Sequence, residues 1–227
     1  MRQCLVRTNP SAPKHQGISF LLFDMASPGV TTRPITLISG KSPFCETFFD
    51  NVKVPKGNLV GTLDRGWDIA KYLLTHEREM IGGGGGGLLG TRSLGEVAAQ
   101  MVGVENGRLA EPFLRGQIAR AEVDGLAFAL TMERIKDEAK AGPDGEKGGV
   151  GANSAMLKYY GTELNKRRLE LMMQAAGSEG LEWEGARSGD GQLARDWLRT
   201  KANSIEGGTS EVMLGIIAKQ ILRLPGA

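Results

Sequence analysis

A glycine-rich stretch near the C-terminus, Ser204–Glu211, contains residue types that allow a charged or carbonyl-bearing ligand to approach the backbone. The apolar residues that follow it recur at helical spacing, so a helix is expected to begin here with Thr209 or Ser210 as its N-cap. Gly207 and Gly208 leave room beside the backbone, and the positive end of a helix favours a phosphate or a carbonyl with developing charge. The alternative interpretation is a flexible entry to a core helix.

A second glycine-rich segment, Gly82–Gly87, formally contains the spacing of a dinucleotide-binding loop. No predicted strand precedes it and no lysine follows it, so the context of a phosphate-binding loop is missing. Each glycine in a helix costs about 1 kcal/mol relative to alanine. We therefore expect this run to interrupt or loosen a helix, and a nucleotide-binding module built on it is the third of three hypotheses.

Composition narrows the possible partners. The chain has 227 residues with 28 basic and 26 acidic side chains, a balance that does not indicate nucleic acid as the main partner. Two cysteines and two histidines offer neither a disulfide framework nor a cluster of metal ligands, so no metal is expected. No apolar run reaches the length of a membrane span, and we expect a soluble protein of the reducing cytoplasm.

The fold class expected from these patterns is mainly α, with a partial antiparallel β-domain at residues 1–62 followed by an antiparallel helical bundle at residues 63–227. The predicted strands are Cys4–Arg7, Ile18–Phe23, Ile35–Ile38, Thr47–Phe49 and Val52–Val54. The long predicted helices start at Gly66 and run over residues 113–140 and 153–176.

Two helix faces carry specific expectations. The apolar residues of the helix at 113–140 predict a core-facing stripe. The basic run at Lys166–Arg168 predicts a solvated face. The stripe comprises Phe113, Ile118, Ala121, Leu126, Ala129, Leu130, Met132 and Ile135.

Three phrases of the sequence resemble the acyl-CoA dehydrogenases, flavoproteins that desaturate acyl thioesters. The phrases are IEGGTSE with its IIAKQIL helix and terminal Leu-Pro, GISFLLFDMASPGVTTRPI, and ETFFDNVKVPKGNLVGTLDRGWDIAKYLL. The resemblance covers nearly the whole chain and corresponds to the second half of the family's β-domain plus its C-terminal helical domain. The family's N-terminal domain and first β-strands have no counterpart before Met1, so the resemblance implies a truncated chain.

The resemblance also implies a chemistry. Removal of the α-proton of a thioester needs a carboxylate in a dry pocket and hydrogen-bond donors for the thioester oxygen. The β-hydride needs an acceptor that no side chain provides, and the family uses FAD. An acyl-CoA substrate and an electron-transfer flavoprotein as electron acceptor are therefore expected.

Two glutamates are candidates for the base. In the family the base lies either immediately ahead of a Gly-Thr pair before the final helix, or immediately before an arginine on the first long helix of the C-terminal domain. Gly207 occupies the first position and Glu206 lies one residue too early. Glu77, directly before Arg78, fills the second position. Glu77 is therefore the preferred base and Glu206 the alternative, with Arg78 expected to hold the acyl-CoA or to fix the base.

Glu77, Glu206 and Arg78 also have interpretations that involve no catalysis or binding. Glu77 could be an exposed helix carboxylate, Glu206 an anion favoured by the start of a helix, and Arg78 a surface arginine.

Two groups of residues resemble cofactor contacts of the family. One group is similar to a turn that approaches the FAD pyrophosphate of a neighbouring subunit, and the other to contacts with the flavin nucleotide at the final helix. The family's Arg-x-x-Phe-Gly motif has no clear match, so the expected assembly is a homo- or hetero-oligomer, not specifically a homotetramer. The first group is Gln174, Gly177 and Gly180, and the second is Thr209, Ser210 and Glu211.

Two hypotheses lead. The first is an acyl-CoA dehydrogenase, or its C-terminal part, which is supported by the Glu77-Arg78 pair and by the IEGGTSE phrase. The second is a non-catalytic partner subunit or remnant that assembles with a complete flavoprotein. The missing N-terminal domain and the six glycines favour the second.

Overall fold

The computed structural model describes residues 1–82, 93–142, 151–185 and 188–226. These residues form two compact units, one of residues 1–37 and 41–74, and the other of residues 38–40 and the chain from Thr75 onward. The predicted domain boundary after residue 62 stays a prediction. The predicted break at Gly83–Gly87 and most of the predicted loop at 142–149 lie outside the described residues, as does the nucleotide-binding module built on the glycines.

The first unit is built from short antiparallel strands. Strand β2 lies between β1 and β5 in a three-stranded sheet, and β3 pairs with β4 in a separate two-stranded sheet. The apolar β2 contributes the buried Phe20 and Phe23, and Phe23 packs edge-on against Phe49 with ring centroids 5.0 Å apart. The strands are β1 (Arg2–Arg7), β2 (Ile18–Phe23), β3 (Val30–Ile35), β4 (Phe44–Phe49) and β5 (Leu59–Val60).

Two of the predicted strands are wrong. Strand β3 ends at Ile35, where the predicted Ile35–Ile38 would begin, and Val52–Val54 is not a strand. The register explains the first error, because pairing of β3 with β4 starts at Val30 opposite Phe49 and ends at Ile35 opposite Phe44. The apolar residues after Ile35 have no partner strand there.

The second unit is a helical bundle, so the expected fold class is confirmed. A short hairpin of β6 (Val104–Glu105) and β7 (Arg108–Leu109) connects its second and third helices. Single turns of 3-10 helix follow the fourth and fifth helices, and a π turn at Ile217–Ile221 follows the last. Helix α1 (Gly66–Gly82) belongs to the first unit up to Leu74 and to the second from Thr75. The other helices are α2 (Leu94–Val102), α3 (Pro112–Ala141), α4 (Asn153–Ala176), α5 (Gln192–Thr200) and α6 (Ser210–Ile216).

Helices α3 and α4 pack antiparallel around two apolar clusters. Early residues of α3, such as Ile118, share a cluster with Leu171 near the end of α4. Late residues of α3, such as Ile135, share the other cluster with Leu157 near the start of α4. The order along one helix is thus reversed along the other, as in an up-down bundle.

The predicted stripe on α3 is only partly correct. Ile118, Met132 and Ile135 are buried, whereas Leu126 and Leu130 are 62% and 57% exposed. Leu114 and Phe128 are buried although they were not in the predicted stripe. The core-facing side of α3 is therefore rotated about the helix axis from the predicted side. No helix among the described residues is long and apolar enough to cross a membrane.

The Glu170 carboxylate of α4 contacts two donors, one on α5 and one directly after it. The indole Nε1 of Trp197 donates to Glu170 Oε2 at 2.6 Å, and the Nζ of Lys201 lies 3.1 Å from the same oxygen. The Lys201 ammonium also lies 4.3 Å from the centre of the Trp197 ring. The hydrogen bond from Trp197 and then the Lys201 ammonium hold the pKa of Glu170 below its usual value of 4.5.

We predict that Glu170→Gln lowers the free energy of unfolding at neutral pH by about 0.5–1 kcal/mol, a modest value because solvent screens this half-exposed pair. A carboxylate with a depressed pKa stabilises the fold above its unfolded-state pKa, and the effect is lost as pH falls through the folded-state pKa. Urea unfolding at neutral pH and at roughly pH 3 should therefore show the difference shrinking in acid.

The matched control is Glu138→Gln on α3, whose ion pair with Arg134 is 3.7 Å long and highly exposed. This change should have almost no effect at either pH. A Glu170→Gln difference that is the same at both pH values would contradict the electrostatic explanation.

Candidate active site

A completely buried lysine lies in the second turn of α4. The side chain of Lys158 is 0% exposed, and its Nζ donates to the carbonyl oxygen of Asn203 at 2.9 Å and to that of Gly208 at 2.7 Å. These two carbonyls lie near the two ends of the segment that leads into α6, which we call the 203–209 loop. Because a buried ammonium requires acceptors, the lysine and the loop depend on each other.

The electrostatics of Lys158 identify its neighbours. Burial lowers the pKa of Lys158, the carboxylates of Glu206 and Glu163 oppose that change, and the cations of Lys166 and Arg78 add to it. The charge of Arg78 therefore acts on Lys158. The end of α1 that carries Arg78 thus lies at the same end of α4 as the 203–209 loop.

Glu206, the alternative base, is held by three donors. The two terminal nitrogens of Arg199 contact its two carboxylate oxygens at 3.2 and 2.8 Å, and the Asn203 amide donates to Oε1 at 2.8 Å. Asn203 is itself fixed by the side-chain amide of Asn165 at 3.0 Å. A fork-shaped guanidinium that occupies both oxygens is a strong and geometrically specific pair, so Glu206 is a fixed part of the loop.

Glu77, the preferred base, has a different environment. It is half-buried on α1, four residues after Leu73 and seven after Ala70, so it continues the less exposed side of the helix. In the described part of the chain its carboxylate has no hydrogen bond or ion pair. The adjacent Arg78 has a buried Nε atom with no hydrogen-bond partner among those residues. Such an unpaired buried donor is rare enough to require an explanation.

The basic run Lys166–Arg168 at the centre of α4 is not the solvated face that was predicted. Lys166 donates to the Ser204 hydroxyl at 3.0 Å and pairs with Glu163, while Arg167 pairs with Asp124 of α3 at 2.8 Å.

The start of α6 matches the expected N-cap. The Thr209 hydroxyl accepts from the Val212 amide at 3.2 Å. The exposed Glu211 carboxylate accepts hydrogen bonds from the Glu211 backbone amide and from the Thr209 side chain, and both lower its pKa. The positive end of this seven-residue helix is therefore already next to an anion of the chain itself.

The two loop glycines are required by the backbone. Gly207 and Gly208 have φ angles of 65° and 111°, a region that other residues rarely adopt. A Cβ atom on Gly208 would lie 2.5 Å from the Cε of the buried Met213. The loop is thus packed on α6, and the flexible-entry interpretation does not describe it.

The two predicted cofactor-contacting groups are not together. Gln174 and Gly177 are exposed at the end of α4, where Gly177 has a φ of 57° and open space where a Cβ would stand, while Gly180 is buried just beyond. At 1.5 Å per residue, Gly177 lies about 28 Å along α4 from Lys158, and about 16 Å from Lys166, which also contacts the 203–209 loop. Thr209, Ser210 and Glu211 belong to that loop end of the bundle.

The sequence analysis missed the buried lysine and its network. A signal for Lys158 existed, because the positions three and four residues away on either side are Ser154, Ala155, Gly161 and Thr162. All four are small, as expected for a face that packs closely against another segment. A lysine in such a row has to be buried with acceptors.

The chain has a small unit of antiparallel strands, then an antiparallel helical bundle with a glycine loop at the start of its last helix. This order of elements can be compared with known protein families. The family model described as "Acyl-CoA dehydrogenase, C-terminal domain" matches residues 64–222. This chain therefore belongs to the acyl-CoA dehydrogenase family, which confirms the resemblance.

Individual relatives agree. The chain is 32% identical over 98% of its length to acyl-CoA dehydrogenase FadE34 of Mycobacterium tuberculosis, covering 29% of that protein. It is 30% identical over 97% of its length to acyl-CoA dehydrogenase IpdE1 of the same organism, covering 54% of it. The chain thus spans about half the length, or less, of these curated relatives.

Solved structures show the same fold. The structure titled "Tcur3481-Tcur3483 steroid ACAD" is 28% identical with a TM-score of 0.82, and covers 98% of this chain and 56% of that one. The ChsE4-ChsE5 complex from Mycobacterium tuberculosis is 25% identical with a TM-score of 0.78, covering 98% and 57%. Both titles name two proteins, and the second is called a complex.

We predict that the Arg199–Glu206 pair stabilises the bundle. In a double-mutant cycle of Arg199→Met, Glu206→Gln and the double variant, the coupling energy should be about 1 kcal/mol, because the pair is bidentate but about one-third exposed. Each single change should lower the midpoint of urea unfolding. Additive effects, with no coupling, would show that the pair contributes nothing to stability.

Proposed function

We propose that this chain provides the active site of an FAD-dependent acyl-CoA dehydrogenase, which forms a double bond between the α and β carbons of an acyl-CoA thioester. The observation that carries the proposal is the Glu77-Arg78 pair: among the described residues, the Glu77 carboxylate has no partner and the buried Arg78 Nε has no acceptor. The Arg78 cation is near enough to act on the pKa of Lys158, and Glu77 is the next residue along the same helix, in a chain of this family.

Glu77 is the proposed base. A proton acceptor must have a free carboxylate oxygen and limited contact with water, and Glu77 is half-buried without a partner among the described residues. Glu206 has both oxygens occupied by Arg199 and is the weaker candidate. Arg78 would direct its Nε–H to an acceptor atom of the acyl-CoA, which would satisfy the buried donor.

FAD supplies the acceptor for the β-hydride when it is bound. The residues that would hold it fit that group in kind. Thr209, Ser210 and the Glu211 carboxylate offer hydroxyls and an anionic acceptor, which suit ring N–H or ribose hydroxyl groups better than a phosphate. Exposed Gln174 beside the open backbone of Gly177 suits a second cofactor at the opposite end of α4, which would belong to another subunit.

The first test is a visible absorption spectrum of the purified 227-residue chain with and without added FAD. Retained flavin bands that bleach on anaerobic addition of an acyl-CoA are expected. Because one structural neighbour is titled a steroid ACAD, the thioesters to compare are a steroid side-chain acyl-CoA and a straight-chain acyl-CoA, with faster bleaching expected for the steroid thioester. A folded chain that binds neither FAD nor acyl-CoA would contradict the proposal and favour the non-catalytic partner subunit.

We predict that Glu77→Gln slows the bleaching by about 10²–10⁴-fold while leaving the bound flavin spectrum unchanged, because only the proton acceptor is removed. Stopped-flow absorbance under anaerobic conditions measures the rate. The matched control is Glu133→Gln on an exposed part of α3, which should bleach at the normal rate. Near-normal bleaching by the Glu77 variant would exclude Glu77 as the base.

We also propose that the chain works as an oligomer, a homo- or hetero-oligomer, and passes electrons to an electron-transfer flavoprotein. The two-chain neighbours support assembly with a second acyl-CoA dehydrogenase chain. Sedimentation of the purified chain tests self-assembly: a multiple of 24.3 kDa supports it, and a species of 24.3 kDa contradicts it.

A further inference from the structure

The main chain of the 203–209 loop has an unusual distribution of hydrogen bonds. The amides of Ile205 and Glu206 both donate to the Ala202 carbonyl. Over the described part of the chain, the amides of Gly207, Gly208 and Thr209 donate to no acceptor. The Gly208 carbonyl, which lies between two of these amides, accepts from Lys158.

Lys158 therefore determines which groups the loop offers to a ligand. A trans peptide directs its carbonyl and its N–H in opposite directions. With the Gly208 carbonyl turned to the ammonium, the Thr209 N–H must point away from Lys158. The second tie, to the Asn203 carbonyl, prevents the loop from rotating about its other end.

The ammonium also affects the strength of these donors. A charged donor on a carbonyl polarises that peptide group, and the N–H on its other side becomes a stronger donor, most of all where water is excluded. Lys158 is 0% exposed, so its charge is little screened. Both effects favour a ligand oxygen that gains negative charge, as a thioester oxygen does when the α-proton leaves.

We propose that Lys158 is a positioning residue of the active site: through the Asn203 and Gly208 carbonyls it orients and polarises the 203–209 loop, so that the loop's free amides face the thioester oxygen. This inference rests on the proposed function for the identity of the ligand. The orientation of the loop itself does not depend on that function.

Three variants separate the possible roles. Lys158→Met keeps an unbranched side chain of similar length and removes the donors. Lys158→Gln keeps two N–H donors without the charge. Lys166→Met is the matched control, since Lys166 lies on the same helix and also contacts the loop, but only through the Ser204 hydroxyl.

The first readout is amide hydrogen exchange of the loop without any ligand, measured by mass spectrometry on peptides that cover residues 203–211. In Lys158→Met we expect exchange of the hydrogen-bonded Ile205 and Glu206 amides to become at least tenfold faster, while α3 changes less than about twofold. Lys166→Met should leave the loop near its normal rate. Unchanged loop exchange in a folded Lys158→Met would overturn the proposal, whether or not the chain is an enzyme.

The second readout is the split between kcat and KM in the flavin-loaded, active chain. A misoriented set of donors should lower kcat of Lys158→Met by about 10²-fold with a KM change below about threefold. Lys158→Gln should keep the loop protected and still lose part of kcat, because the charge is gone. Normal kcat in both variants would overturn the positioning role.

The proposed function and the role of Lys158 in orienting the loop can be contradicted independently. A wild-type chain that neither binds nor reduces flavin contradicts the proposed function, and the exchange experiment then decides on the loop alone. If Lys158→Met does not fold, Lys158→Gln carries the comparison: a protected loop with reduced kcat supports the proposal, and normal kcat overturns it.

Discussion

The buried ammonium of Lys158 is the constraint on which the functional end of the bundle depends. A charge inside a protein is tolerated only with full hydrogen bonding, and here two of its acceptors are main-chain carbonyls of a segment about 45 to 50 residues away in sequence. The position of the 203–209 loop therefore depends on the position of the start of α4, and the reverse. The loop in turn fixes the start of α6, because Gly208 packs on Met213 and Thr209 caps the helix.

The same constraint separates the two candidate glutamates. Glu206 lies in the loop that Lys158 holds, and Arg199 and Asn203 occupy its oxygens, so its negative charge is already used in the packing of the loop. Glu77 comes from α1 and shares none of these partners. The two carboxylates thus have opposite environments, one fully paired and one without a partner in the described part of the chain. Proteins commonly divide structural and chemical roles between identical groups in this way.

Local patterns predicted much of the fold from the sequence. The helix at 153–176 and the strand at Ile18–Phe23 have the predicted bounds, and the cap is Thr209, one of the two residues predicted for it. The hairpin of β6 and β7 was not predicted, although its Asn106-Gly107 dipeptide suits a tight turn with two positive φ angles. Long-range pairing was not predictable: the register that ends β3 at Ile35, the face of α3 that meets α4, and the burial of Lys158 all depend on segments distant in the chain. The candidate base rested on resemblance, because nothing local distinguishes Glu77 from a surface carboxylate.

The length of α4 leads to a conclusion about assembly. The 203–209 loop contacts α4 from Lys158 to Lys166, whereas Gln174 and Gly177 lie at the end of the helix, and Gly177 is about 16 Å beyond Lys166 at 1.5 Å per residue. If both groups contact a flavin nucleotide, as the resemblance implies, the two contacts are made at separate places along a packed helix. On the proposed function, groups so placed serve two cofactor sites more naturally than one, and each site would then be completed by another chain. The geometry of one helix is thus a reason, independent of any surface patch, to expect an oligomer.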